Sequence, residues 1–164
     1  MTEENNSEDS RAIGITKIYV KDFSFESPKA PGVFRSADWK PQTDLNLRSG
    51  HTAVEGEDDL HEVVLTITVD AKDEESTLFL VEIQQAGLFQ ISGYGEEEFN
   101  AIVGSFCPNI LFPYAREAIA STIQRGGFPE FVLQPINFDA LYMQSKKQAA
   151  TAQAEAEATQ AEAH

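Results

Sequence analysis

The sequence predicts an α+β domain, a four-stranded antiparallel sheet with helices packed on one face. Two observations predict it. Apolar and polar residues alternate over four stretches in the first half, between Lys17 and Gln85. Helical spacing then takes over, with Leu111, Ala115, Ala118, Ile119, Thr122 and Ile123 on one stripe. Strands joined by turns, followed by helices, give a sheet with one covered face.

The first strand runs from about Lys17 to Glu26, with Tyr19, Phe23 and Phe25 on one face and Asp22, Ser24 and Glu26 on the other. Pro28, Pro31, Gly32 and Pro41 then break the pattern and predict a long loop. Leu45 and Leu47 alternate with Asp44, Asn46 and Arg48 in a short second strand, and Ser49 to Asp59 reads as an exposed acidic loop. Val63, Leu65, Ile67 and Val69 share one face of a third strand. After a charged turn at Ala71 to Glu75, a fourth strand runs from about Thr77 to Gln85. Phe79, Val81 and Ile83 take one side of it, and Leu78, Leu80 and Glu82 the other.

Glu96 to Val103 predicts a short helix, because acidic residues suit a helix N-terminus. Pro113 suits the first turn of the next helix, since its missing N–H would be unpaired there. Gly126 and Gly127 stop that helix. Pro129 and Pro135 hold a connector extended. Asn137 then caps a last helix whose apolar residues are Phe138, Leu141 and Tyr142. The Ala/Glu/Gln run from Gln148 has helical propensity but no stripe to pack, so fraying or disorder is expected. The expected organisation is a disordered acidic segment at 1–14, a domain at 15–147 and a flexible tail at 148–164.

The formal net charge is −15. It argues against nucleic acid and anionic membrane surfaces as partners and favours basic ones, through steering that salt weakens. No apolar run approaches the roughly 20 residues that a membrane helix needs, and no basic-then-apolar leader is visible. A single cysteine, Cys107, fits a reducing compartment. Together these predict a cytoplasmic protein.

No catalytic motif emerges, and no cofactor is implied. Of the histidines, His51 falls in the acidic loop and His164 is the last residue, so both are expected in solvent. His61 and Glu62 are strand neighbours and point to opposite faces. Cys107 reads as a buried structural thiol, with no base or cation nominated to activate it. Gly93-Tyr94-Gly95 is followed by Glu96, Glu97 and Glu98, which would repel a phosphate, so a turn is expected and nucleotide-driven work is not. Val33, Phe34 and Trp39 are apolar residues in a proline-rich loop. Packing on the core or on another subunit is one role for them and for Phe138, Leu141 and Tyr142; lining an apolar groove is the other.

Four segments resemble the SecB family of bacterial protein-export chaperones, in the family's order. They are Tyr19-Val20-Lys21-Asp22-Phe23-Ser24-Phe25-Glu26, Phe79-Leu80-Val81-Glu82-Ile83-Gln84-Gln85, the run from Cys107 to Glu117, and Pro135-Ile136-Asn137-Phe138-Asp139-Ala140-Leu141-Tyr142. The resemblance implies a sheet with two main helices and a homotetramer built as a dimer of dimers. It implies a chaperone that holds unfolded precursor proteins and delivers them to the SecA translocation ATPase without an energy source of its own. Asp22, Glu26, Leu80 and Glu82 match the family's SecA-docking positions. Val81, Ile83 and Gln85 match positions that influence assembly, although some relatives carry cysteine where Val81 stands. The alanine-rich tail departs from the family's acidic tail.

Overall fold

The computed structural model describes residues 10–35, 40–74 and 76–162. Trp39 and His164 lie outside the described residues. Four strands, β1 (Ala12–Glu26), β2 (Gln42–Ala53), β3 (Leu60–Lys72) and β4 (Thr77–Ser92), form one antiparallel sheet in the order β1-β4-β3-β2. Consecutive hairpins join β2, β3 and β4. The long connection after β1 crosses from one edge of the sheet to the other, a Greek-key arrangement.

The strands run longer than alternation alone predicts. β2 is not a short strand ending near Arg48. Its ladder continues through Ser49↔Leu65 to Ala53↔His61, so only residues 54–59 remain of the expected acidic loop. As an edge strand wetted on its outer side, β2 holds its place by main-chain pairing and needs few apolar residues. β4 likewise passes the interruption at Gln84–Gly87 and pairs with Ala12 to Tyr19.

Strict alternation also fails in β1. The register slips between Val20 and Asp22, where Lys21 is the extra residue. Phe23 and Phe25 pair with Ile83 and Val81 on the inner face, as expected. Tyr19, paired with Ala86, is turned to the outer face instead, because a bulge inverts the parity of the residues before it, here as far back as a second slip at Ile15/Lys17.

The chain then enters α1 (Glu96–Ala101), passes through a π-helical turn (Ile102–Phe106) and continues as α2 (Cys107–Arg125). Pro113 therefore lies inside α2 rather than in its first turn; Pro108 occupies the entrance. Leu111, Ala115, Ile119 and Ile123 stack at four-residue spacing and are fully buried against β4 and β3. With Val63, Leu65, Ile67, Val69, Val81 and Ile83, also at 0% exposure, they make the core.

At the end of α2, Gly127 has φ +90° and donates to the carbonyl of Gln124, while Phe128 donates to that of Ile123. This paired closure needs a left-handed residue, which glycine supplies at low cost. An extended connector returns to α3 (Phe138–Glu162). The Asn137 side chain accepts from the Ala140 N–H at 3.0 Å, capping that helix. α3 meets the domain chiefly at the π-helical turn, and its residues from Met143 onward are exposed wherever they are described. No helix among the described residues is long and apolar enough to cross a membrane.

Candidate interaction surfaces

The sheet has one face under α2 and one open face. Because register fixes which residues share a row, the open face can be read directly. One row holds Glu26, Leu80, Asp70 and Asp44; the next holds Ser24, Glu82, Thr68 and Asn46; a third holds Asp22, Gln84, Thr66 and Arg48. Asp22, Glu26, Leu80 and Glu82 thus form one contiguous group. The Thr68 hydroxyl donates to Glu82 Oε2 at 2.7 Å and fixes that carboxylate's direction. Lys72 bridges Asp70 at 3.0 Å and Asp44 at 3.7 Å, which partly neutralises the β3–β2 side and leaves the β1–β4 side more acidic.

Further along the same face stands a cluster that sequence reading misses. The Tyr19 hydroxyl and Lys21 Nζ both donate to Glu62, Lys21 at 2.6 Å. Burial, then the bond to Glu62, pushes the Tyr19 phenol up to about 12. The hydrogen bonds from Lys21 and Tyr19 pull the Glu62 carboxyl below its usual range. At neutral pH Glu62 is therefore ionised and Tyr19 is a phenol. The only signal for this cluster is the bulge, which alternation cannot show.

Val81, Ile83 and Gln85 face the other way, into the core. Gln85 Nε2 donates to the Tyr19 carbonyl at 3.0 Å, tying β4 to β1 beside the bulge. A change at these three positions would act by shifting packed elements, not by touching a partner directly.

The predicted groove residues divide into two groups. Phe138, Leu141 and Tyr142 line a groove of about 650 Å³ between α3, the π-helical turn and the edge strand β2, with Leu47 and Val103 opposite. The Tyr142 ring packs closely on Gly104: a Cβ there would stand 2.6 Å from the ring. Arg48, His51 and Lys146 line the same groove. Val33 and Phe34 sit instead at the far end of α2. There Phe34, 45% exposed, caps an aromatic cluster of Phe25, Phe79 and Phe128, with its ring centroid 5.4 Å from that of Phe128. From Phe112, which packs against Phe138, to Gly127 beneath Phe34 is roughly 20 Å along the helix.

The reactive residues are held in structural roles. Cys107 is buried, and burial pushes its thiol up to about 12, so it is not a thiolate at neutral pH. Ser105 donates to Asp139, tying the π-helical turn to the first turn of α3. His51 is not in a loop: it lies on β2 and meets the edge of the Phe99 ring, which His61 meets from the other strand. Burial lowers the His61 pKa, with His51 adding to that. Among the described residues no group of side chains is placed to hold a metal ion.

The arrangement of sheet and helices matches that of the Mycobacterium tuberculosis Rv1957 SecB-like chaperone, solved with a ChAD peptide from the Rv1956 HigA1 antitoxin. The TM-score is 0.61 at 18% identity, over 76% of this chain and 87% of that one. The fold is thus that of the SecB-like chaperones. The family described as preprotein translocase subunit SecB matches residues 6–149. The protein-export protein SecB of Nitrosococcus oceani is 50% identical over 82% of this chain and 81% of its own length. Those of Methylococcus capsulatus and Pseudomonas fluorescens are 50% and 49% identical, over 89% and 88% of this chain and 92% and 91% of their own. This chain belongs to the SecB family of protein-export chaperones.

Proposed function

We propose that this protein works in the cytoplasm as a homotetramer, a dimer of dimers, that holds unfolded precursor proteins and hands them to SecA without using ATP. The observation that carries the reading is the two-sidedness of the domain. Asp22, Glu26, Leu80 and Glu82 share the open sheet face, while exposed apolar residues, Phe34 and Leu141 among them, lie on the helix side. A client and a motor could then be held at once on opposite sides.

The energetics favour many weak contacts. Ordering an unfolded segment costs about 1–2 kcal/mol per residue, while burying apolar surface returns about 25 cal/mol per Å². A short segment in one shallow groove therefore binds weakly. Two apolar sites per subunit, repeated around a tetramer and engaged by one long chain, raise avidity without sequence specificity. Folded proteins hide their apolar segments and are not retained. The bound peptide in the M. tuberculosis relative supports a peptide-binding role for this fold. Release follows from transfer to the docked motor.

Glu82→Lys tests the docking half. The account expects this variant to keep its fold and its grip on an unfolded client while losing affinity for SecA at least tenfold. Native affinity for SecA in that variant would refute docking through this face.

A further inference from the structure

β2 is an edge strand, and among the described residues no strand lies beyond it. One hydrogen bond gives the phase of its free main-chain groups. Val54, just past the end of β2, donates its N–H to the carbonyl of Leu60 at 2.9 Å, continuing the register Ala53↔His61. Bonded residues alternate along an antiparallel pair, so the even-numbered residues from Gln42 to Thr52 turn their N–H and C=O toward β3. The next ladder agrees: Ile91 donates to the Asp59 carbonyl at 2.8 Å, which leaves the even-numbered residues of β3 for β2. Thr43, Leu45, Leu47, Ser49, His51 and Ala53 therefore turn their N–H and C=O away from the sheet, each with one donor and one acceptor.

Nothing in the strand blunts this edge. Its register runs from Gln42↔Lys72 to Ala53↔His61 without a slip, and it contains no proline. A long, regular, uncovered edge is a template for an added strand. The same odd-numbered residues place their side chains on the helix side, as the pair Leu47↔Ile67 shows. Leu47, Ser49 and His51 form one wall of the groove described above, and Leu141 and Tyr142 of α3 form the other. Leu45 and Leu141 are 47% and 43% exposed. An apolar groove thus runs beside an unpaired main chain over residues 47–51, roughly 17 Å of strand.

We infer that the outer edge of β2 takes an extended segment of an unfolded client as a fifth, antiparallel strand, with every second client side chain apolar and turned into the groove. The inference rests on the client-holding reading above and names the segment that this site takes. Main-chain bonds are the same for any sequence, so the edge grips without sequence specificity, while the groove selects for alternation. Client side chains on the other side lie beside Asp44, Asn46 and Arg48 and stay in solvent. An unfolded segment brings a single strand to the space beside α3, with no further fold to accommodate there.

The test uses the full chain and capped synthetic peptides of alternating leucine and threonine. In the antiparallel pairing, the leucines that fill the groove also turn their N–H groups to β2, and the threonine N–H groups point away. N-methylation of the leucines should weaken binding at least about tenfold, and N-methylation of the threonines should leave it within about twofold. Amide hydrogen exchange locates the strand: Leu47, Ser49 and His51 should exchange fast in the free protein and slow at least about tenfold on binding, with Arg48 and Gly50 protected throughout. Equal loss by both methylated peptides, loss by neither, or loss by the threonine-methylated one alone overturns strand addition. So does protection of Leu47, Ser49 and His51 before any peptide is added, which would put another strand, such as a second copy's, on that edge. Failure to bind the parent peptide while refolding of a client is still arrested overturns strand addition and leaves client holding intact. Failure of both overturns client holding, and strand addition with it.

Discussion

The two faces of the sheet are built from the same strands, one residue apart, yet they answer to different physics. Val81 is at 0% exposure under α2, while its neighbour Glu82 faces outward and is held by the Thr68 hydroxyl. The inner face is fixed by volume: each side chain there fills space that only a similar side chain can fill. The outer face is fixed by register, because its charges matter through which carboxylate lies beside which cation. Inner-face changes should therefore move stability, and outer-face changes should move recognition.

Leu111→Ala, on the fully buried stripe of α2, should cost about 2–5 kcal/mol in chemical denaturation, because the sheet beneath it cannot collapse into the space. A loss below 1 kcal/mol would mean that the interior is looser than its burial implies. Gly127→Ala should cost about 1–2 kcal/mol, since an alanine at φ +90° is strained and its Cβ would press on the Phe34 ring at 2.9 Å. Asn137→Ala should cost about 1 kcal/mol and reduce helical ellipticity, by freeing the first turn of α3.

The smallest effect is expected on the outer face and is a matter of pH. The folded-state pKa of Glu62 is depressed by Lys21 and Tyr19. Its contribution is thus fully present above the ordinary value of 4.5 and disappears as pH falls through the lower folded value. The stability difference between native protein and Glu62→Gln should be constant near neutrality and shrink in acid. Tyr19 works in the opposite direction: its phenol is raised from 10.0 to about 12, so its contribution is complete below pH 10 and is lost as pH rises toward 12. A difference that instead grew on acidification would show that the carboxylate is not favourably held.

Much of the inner face was legible in the sequence, because burial writes itself as periodicity. The odd-numbered residues of β3 from Val63 to Val69, and Leu111, Ala115, Ile119 and Ile123 of α2, all stand where their spacing puts them. The outer face and the edges were less legible. Tyr19 changed sides because a bulge is a property of pairing between two strands, invisible in either alone. β2 looked short and His51 looked like a loop residue because an edge strand is held by main-chain hydrogen bonds that leave no apolar signature. Pro113 looked like a helix start because the turns before it, from Glu96 through the π-helical segment, carry their own helix and obscure the boundary.

The groove residues repeat the lesson. Val33 and Phe34 are separated from Phe138, Leu141 and Tyr142 by most of the length of α2, and Phe138, at 5% exposure, is largely a core residue. Sequence nominated them one by one; only the antiparallel return of the connector decides which of them meet. If both patches take clients, as proposed, the division suits a long unfolded chain better than a short one, since one chain can bridge both.

A holding role for this protein is read out by the refolding of a slowly folding precursor mixed with stoichiometric protein in the absence of nucleotide. The account predicts arrested refolding, relieved when a competing unfolded chain is added and unaffected by a folded control protein. Refolding at the uninhibited rate, with the protein itself folded and oligomeric, would contradict it.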